Sequence, residues 1–197
     1  MIVVILFSKS SHFALVHYDI WGSVLAKFTF KISIFVTFID DYSQYTWLFL
    51  MKNHFELSFT FQPFYPEFKN QFGVYIRIFH RRNAHEYLSH SFQTFMISHD
   101  IFHQTSCAYT SQQVGVVKSK NIYLMETTQT FYFMAKFLNN FGGDVVIIMC
   151  YLINHISSSI LDNQIPHSIL FSSQPLHYLP TSSLWVYMLC RYPYSWL

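Results

Sequence analysis

The sequence predicts a mixed α/β sheet with helices on its faces, and three observations predict it. Three β-rich runs follow one another in the first quarter of the chain, which gives antiparallel strands. Strand-like and helix-like patterns then alternate, which adds crossover-linked strands to the same sheet. The 197 residues are 52% hydrophobic, enough for one domain with a substantial core.

The elements follow in chain order. Residues 13–22, "FALVHYDIWG", alternate in polarity and end in Trp-Gly, giving a strand with Asp19 near its exit. "SIFVTFIDDYS" (33–43) and "YTWLFLMK" (45–52) are β-branched or aromatic runs joined by a polar turn, the pattern of a hairpin. Residues 54–72 have helical spacing in Phe55, Phe59, Phe64 and Phe68, yet contain Pro63 and Pro66. An interior proline costs a helix about 3 kcal/mol, so this helix is expected to be interrupted or weakened. A strand over 75–81 comes next, then a turn at Asn83 and Ala84, a helix over 89–99 and a short strand over 102–107. A long helix from Val116 to Phe137 and a buried one from Gly143 to Ile153 complete the set.

Composition excludes several classes. Charged residues make up only 11% of the chain, against about 25% for an average soluble domain, so the surface is poorly solvated. A formal charge of +2 does not by itself imply a nucleic-acid partner. No apolar window is long enough to cross a membrane, and "VVIIMCYLI" (145–153) is about half the needed length. The N-terminal "MIVVILF" has neither a basic leader nor a small-residue cleavage site, so no signal peptide is expected. Cys107, Cys150 and Cys190 are too widely spaced for a disulfide framework or a zinc finger. An intracellular, reducing location is the expectation.

Strand exits are where α/β proteins keep their chemistry, and the strand over 75–81 runs into Arg81 and Arg82 without an acid. These arginines either hold phosphate or are simply solvated. Asp40 and Asp41 are neighbours whose side chains point to opposite sides of a strand, so they are expected to be a solvated turn rather than a metal site. His99, His103 and Cys107 have superficially metal-like spacing, but they straddle a helix end and a strand, which argues against zinc. With only five glycines there is no phosphate-binding glycine loop. No Ser-His-Asp nucleophile arrangement stands out.

Seven segments, "VHYDIWG", "FVTFIDDYSQYTWLFLMK", "EYLSHSFQTF", "SHDIFHQTSC", "SQQVGVVKSKN", "CYLIN" and "LDNQIPHSILF", occur in one order and spacing. Together they resemble the integrase catalytic core of copia-type long-terminal-repeat retrotransposon polyproteins, over residues 11–180. The resemblance implies a ribonuclease H-like fold, a five-stranded mixed sheet flanked by helices. It implies DNA integration as the ancestral activity, with DNA as partner, a possible homodimer and a nuclear location. Chemistry in that family is phosphoryl transfer with Mg²⁺, in which two cations about 4 Å apart stabilise the attacking and leaving oxygens. Hard cations take oxygen ligands, so the family supplies two aspartates and a glutamate.

Matched residue by residue, the first acid is Asp19 in "HYDIWG". The second falls on Arg82, within His80-Arg81-Arg82-Asn83-Ala84, where the family reads Arg-Ser-Asp-Asn-Gly. The third falls on Lys118, after Gln112-Gln113-Val114-Gly115-Val116-Val117. Neither basic side chain offers an oxygen to a metal, and each places positive charge where the cation should sit. The resemblance therefore implies a pseudoenzyme: Asp19 is the single retained ligand, no Mg²⁺ is expected to bind, and Asp19 is expected to pair with Arg82 or Lys118. Glu86 lies too far past the strand to substitute. An alternative is a non-catalytic nucleic-acid binder using Arg81, Arg82, Lys118 and Lys120; a further one is a relic that does not fold stably.

Boundaries follow from the same matches: an unmatched segment 1–10, the core 11–155, a family-like extension 156–183 and a tail 184–197. In the tail, "LWVYMLC" (184–190) replaces the family's Phe-Gly-Cys-x-Cys-Phe-Val. One synonymous coding of it, read one base later, spells Phe-Gly-Cys-Thr-Cys-Phe, so the tail is expected to be out of frame.

Overall fold

The computed structural model describes residues 11–22, 34–81, 89–105, 119–128, 130 and 142–173. Five strands form one sheet: β1 (Leu15–Gly22), β2 (Ile34–Asp40), β3 (Thr46–Met51), β4 (Ile78–Arg81) and β5 (Phe102–Thr105). Their order is β3-β2-β1-β4-β5. β1 pairs antiparallel with β2 and parallel with β4, while β2–β3 is the antiparallel hairpin and β4–β5 is parallel. The helices are α1 (Leu57–Phe72), α2 (His90–Ser98), α3 (119–128), α4 (Gly142–His155) and α5 (Pro166–Leu170). This is the mixed sheet with flanking helices that the strand and helix patterns predict.

The sheet has an apolar layer on each side, because successive strand residues face opposite ways. One layer packs Val16, Tyr18, Val36, Phe38 and Phe79 against Phe61, Phe64, Tyr65 and Phe68 of α1 and Phe92 and Met96 of α2. Its rings meet mostly edge-on or tilted: Phe38–Phe61 centroids lie 5.6 Å apart at 88°, and Phe13–Phe68 4.2 Å apart at 87°. Each such pair adds about 0.5–1.5 kcal/mol beyond its buried area. The other layer is thinner and packs Phe35 against Leu124 and Met125 of α3 and Val146, Met149 and Cys150 of α4.

α1 runs unbroken through Pro63 and Pro66, contrary to the expected interruption. Both prolines sit on its exposed side, as does Phe59, while Gln62 is half-buried. The carbonyls that lose their helical donors, those of Phe59 and Gln62, therefore lie on the side nearer water. The buried stripe Leu57–Phe61–Phe64–Tyr65–Phe68 supplies the compensating burial. Gly73 closes the helix at φ 66°, a left-handed cap whose N–H donates to Lys69 O at 2.8 Å. At α2, the Ser89 hydroxyl caps the first turn by accepting from Phe92 N.

The expected solvated turn at Asp40 and Asp41 is instead an anchored corner. Asp40 is fully buried, and its carboxylate accepts from Phe13 N at 2.8 Å, Ser43 N at 3.0 Å and Ser43 Oγ at 2.7 Å. Those donors tie the β2–β3 turn to the start of β1, and this is why an acid can be buried here. On the far side of that turn, Asn154 of α4 clamps Thr46: its Oδ1 accepts from Thr46 N at 2.9 Å and its Nδ2 donates to Thr46 O at 2.7 Å.

Beyond α4, Phe171 packs edge-on against Tyr45 and tilted against Phe72, so the described part of the extension closes over the core. The segment 1–10 and the tail 184–197 lie outside the described residues.

Candidate functional site

Asp19 lies in β1 at the centre of the sheet, opposite Thr37 of β2, and is 8% exposed. Its Oδ2 accepts from Trp21 Nε1 at 2.8 Å and from Asn121 Nδ2 at 3.3 Å. Asn121 is fully buried in α3, and its Oδ1 accepts from Thr37 Oγ1 at 3.2 Å. Strand alternation puts Asp19, Trp21 and Thr37 on the thinner face of the sheet, where α3 lies. Sequence reasoning missed Trp21 and Asn121 as partners of the acid. The signal for Trp21 is its place two residues along the same strand face; Asn121 declares itself only once α3 is docked.

Arg81 ends β4 and is register partner of Tyr18, so it lies on the face opposite Asp19. It is buried, with its guanidinium carbon 6.0 Å from the centroid of the Tyr18 ring. Beside it, Tyr18 OH and His103 Nε2 are 3.0 Å apart, and burial together with Arg81 pushes the His103 pKa down. Arg82 is the next residue after Arg81, and Lys118 directly precedes the described start of α3. Both lie outside the described residues, as do Glu86 and Cys107.

Lys120 turns inward. Its ammonium donates to Gln44 O in the β2–β3 turn. Burial lowers its pKa to about 8, against the partly offsetting pull of Cys150 and Asp40. Cys150 donates from Sγ to Thr46 O at 3.4 Å, and burial pushes its thiol up to about 12. The four cations of the expected basic site are thus not one described cluster: Arg81 lies on one face, and Lys120 points to the turn.

Of the three positions matched to the family's acids, only Asp19 lies among the described residues. Hydrogen bonds from Trp21 Nε1 and Asn121 Nδ2 to Oδ2 fix the orientation of the Asp19 carboxylate, as outer partners do for carboxylates that hold a metal. Among the described residues no group of three or more His, Cys, Asp or Glu converges as a metal site. His99 and His103 have separate partners: His99 stacks on Phe95 with centroids 4.1 Å apart, whereas His103 meets Tyr18.

A third arrangement was not legible in the sequence. His17 Nε2 lies 3.1 Å from Asp41 Oδ1, and His17 Nδ1 lies 3.2 Å from His80 Nδ1. Burial, with His17 and His103 nearby, lowers the His80 pKa to about 4 despite the opposing effect of Asp41.

Solved structures with the same architecture are viral integrases. The chain aligns with the simian T-cell lymphotropic virus intasome in complex with PP2A regulatory subunit B56 gamma at TM-score 0.62 and 18% identity, over 85% of this chain and 57% of that one. It aligns with the HTLV-2 integrase catalytic core domain in complex with magnesium, trimeric form, at TM-score 0.58 and 15% identity, over 80% of this chain and 96% of that one. The fold is therefore that of an integrase catalytic core, ribonuclease H-like.

The sequence relatives narrow this. The chain is 31% identical over 155 residues to the retrovirus-related Pol polyprotein from transposon TNT 1-94 of Nicotiana tabacum, covering 79% of this chain and 12% of that polyprotein. It is 26% identical over 161 residues to the corresponding polyprotein from transposon RE1 of Arabidopsis thaliana, covering 81% of this chain and 11% of that one. The chain matches no family model. It belongs to the integrase cores of copia-type retrotransposon polyproteins, and it spans only about a tenth of the length of these relatives.

Proposed function

We propose that this chain is a degenerate integrase core, related to DNA integration by descent and without strand-transfer activity of its own. The observation that carries the reading is the pair of basic residues, Arg82 and Lys118, at the positions matched to the family's other two acids, which leaves Asp19, oriented by an indole and an amide, as the retained acid. Arg82 follows the last described residue of β4, and Lys118 precedes α3, the element that brings Asn121 to Asp19. Two basic side chains at the remaining acid positions would repel Mg²⁺ and offer it no oxygen.

The test is an assay for Mg²⁺- or Mn²⁺-dependent nicking and strand transfer, run on the parent and on Arg82→Asp/Lys118→Glu. An inert parent with a gain of activity in the double variant supports the reading. Activity in the parent overturns it.

A second reading is a non-catalytic nucleic-acid binder built on the same positions. Because Arg81 and Lys120 are engaged inside the fold, this reading rests mainly on Arg82 and Lys118. DNA binding that weakens steeply with salt, with the slope reduced by about 0.9 for each phosphate contact removed at these two positions, would favour it. DNA as partner, homodimerisation, a nuclear location, the boundaries 11–155 and 156–183, and an out-of-frame tail from residue 184 are part of the proposal. Genomic sequence lacking the alternate frame would remove the last of these.

A further inference from the structure

We infer that His17 and His80 form a chelating site for a borderline transition-metal ion of the Zn²⁺ class, bound through their two Nδ1 atoms on the seam between β1 and β4.

His17 and His80 are register partners in the parallel β1–β4 pair, so their side chains leave the sheet on the same face. Their Nδ1 atoms are 3.2 Å apart, with ring centroids 5.1 Å apart and ring planes at 83°. Two Zn–N bonds of about 2.0–2.1 Å at a tetrahedral angle span about 3.3 Å between nitrogens. The existing separation therefore needs almost no adjustment. His17 is 4% exposed and held in place, while His80 is half-buried and gives a route from solvent.

The tautomers suit the same site. The Asp41 carboxylate lies 3.1 Å from His17 Nε2 and can only accept, so in the neutral, metal-binding form His17 holds its proton there and has its lone pair at Nδ1. The contact between the two Nδ1 atoms is bridged by one proton. An incoming cation takes the place of that proton, and His80 binds as a neutral imidazole with its proton at Nε2. Both ligands then bind as neutral imidazoles. The carboxylate behind His17 is the partner that metal-bound histidines characteristically use to fix the ring and raise its basicity. Two nitrogens leave the other coordination positions to water or to an added ligand. Imidazole donors favour Zn²⁺, Cu²⁺ or Ni²⁺ and disfavour Mg²⁺, so this site is chemically separate from the ancestral one at Asp19.

The test is calorimetric titration of the full, chelator-stripped chain with Zn²⁺ in a large excess of Mg²⁺. We expect one tight equivalent that Mg²⁺ does not displace. His80→Gln should weaken it by at least about tenfold, and Asp41→Asn by about 10- to 100-fold. Should either variant fail to fold by circular dichroism, electron paramagnetic resonance of the parent with one equivalent of Cu²⁺ decides the matter, and two coupled imidazole nitrogens are expected. Absence of a tight equivalent, unchanged binding in folded His80→Gln, or fewer than two coupled nitrogens would overturn the inference.

Discussion

Replacing Asn121 with alanine should cost the fold about 3 kcal/mol, because this one amide joins α3 to two strands. Its Nδ2 donates to Asp19 Oδ2 at 3.3 Å and its Oδ1 accepts from Thr37 Oγ1 at 3.2 Å. A hydrogen bond to a charged group contributes about 1.5–3 kcal/mol, and the length of this one places it at the lower end. The neutral bond from Thr37 adds about 1 kcal/mol, the Thr37 hydroxyl keeping only its long contact to Asp19 O at 3.5 Å in exchange. The small void left by the amide supplies the remainder. With a urea slope of about 2 kcal/mol/M, the unfolding midpoint should fall by about 1.5 M. Thr37→Val removes one partner of the same network, so the double variant should lose clearly less than the sum of the single losses. A midpoint shift under about 0.3 M, or strict additivity of the two losses, would refute the argument that Asn121 fastens α3 to the sheet at the acid.

His80 should make stability depend on acidity. Its folded pKa is lowered to about 4 from 6.5, so between these values the unfolded chain takes up a proton that the folded one refuses. Stability from this source is complete above about pH 6.5 and falls as the pH drops towards 4, by about 1–2 kcal/mol after discounting for partial exposure. In urea titrations across that window, His80→Gln should flatten the slope; an unchanged slope would refute the assignment. Pro63→Ala and Pro66→Ala should each raise stability by about 1–2 kcal/mol, since each restores a helical donor at an exposed position. Thermal unfolding should then shift up by about 3–6 °C per substitution, and a fall in Tm would show that the prolines are needed where they are.

The sheet was legible because its signals are local. Alternation marks β1, and the paired aromatic runs mark the β2–β3 hairpin. The three acid positions are read from order and spacing alone, and of them only Asp19 lies among the described residues. What could not be read was whatever depends on two distant segments meeting. Asp40 looks like a turn residue until Phe13 N arrives from elsewhere in the chain. Lys120 looks like a surface cation until α3 docks it over Gln44 O. Adjacent Arg81 and Arg82 read as a pair, but strand geometry sends Arg81 to the face that Tyr18 occupies. The prolines were misjudged because propensity counts the lost helical bond and not the aromatic burial on the opposite side of α1.

The two faces of the sheet carry different burdens. The layer of rings around Phe38, Phe61 and Phe79 holds no ionised group of the ancestral site, whereas Asp19 sits across the sheet in the thinner layer. On the proposed reading of Arg82 and Lys118, exchanging a clustered negative charge for a positive one relieves repulsion that would otherwise need a cation to balance it. On that reading chemistry can be lost while the architecture persists, because no ring of the described layer matches a family metal ligand.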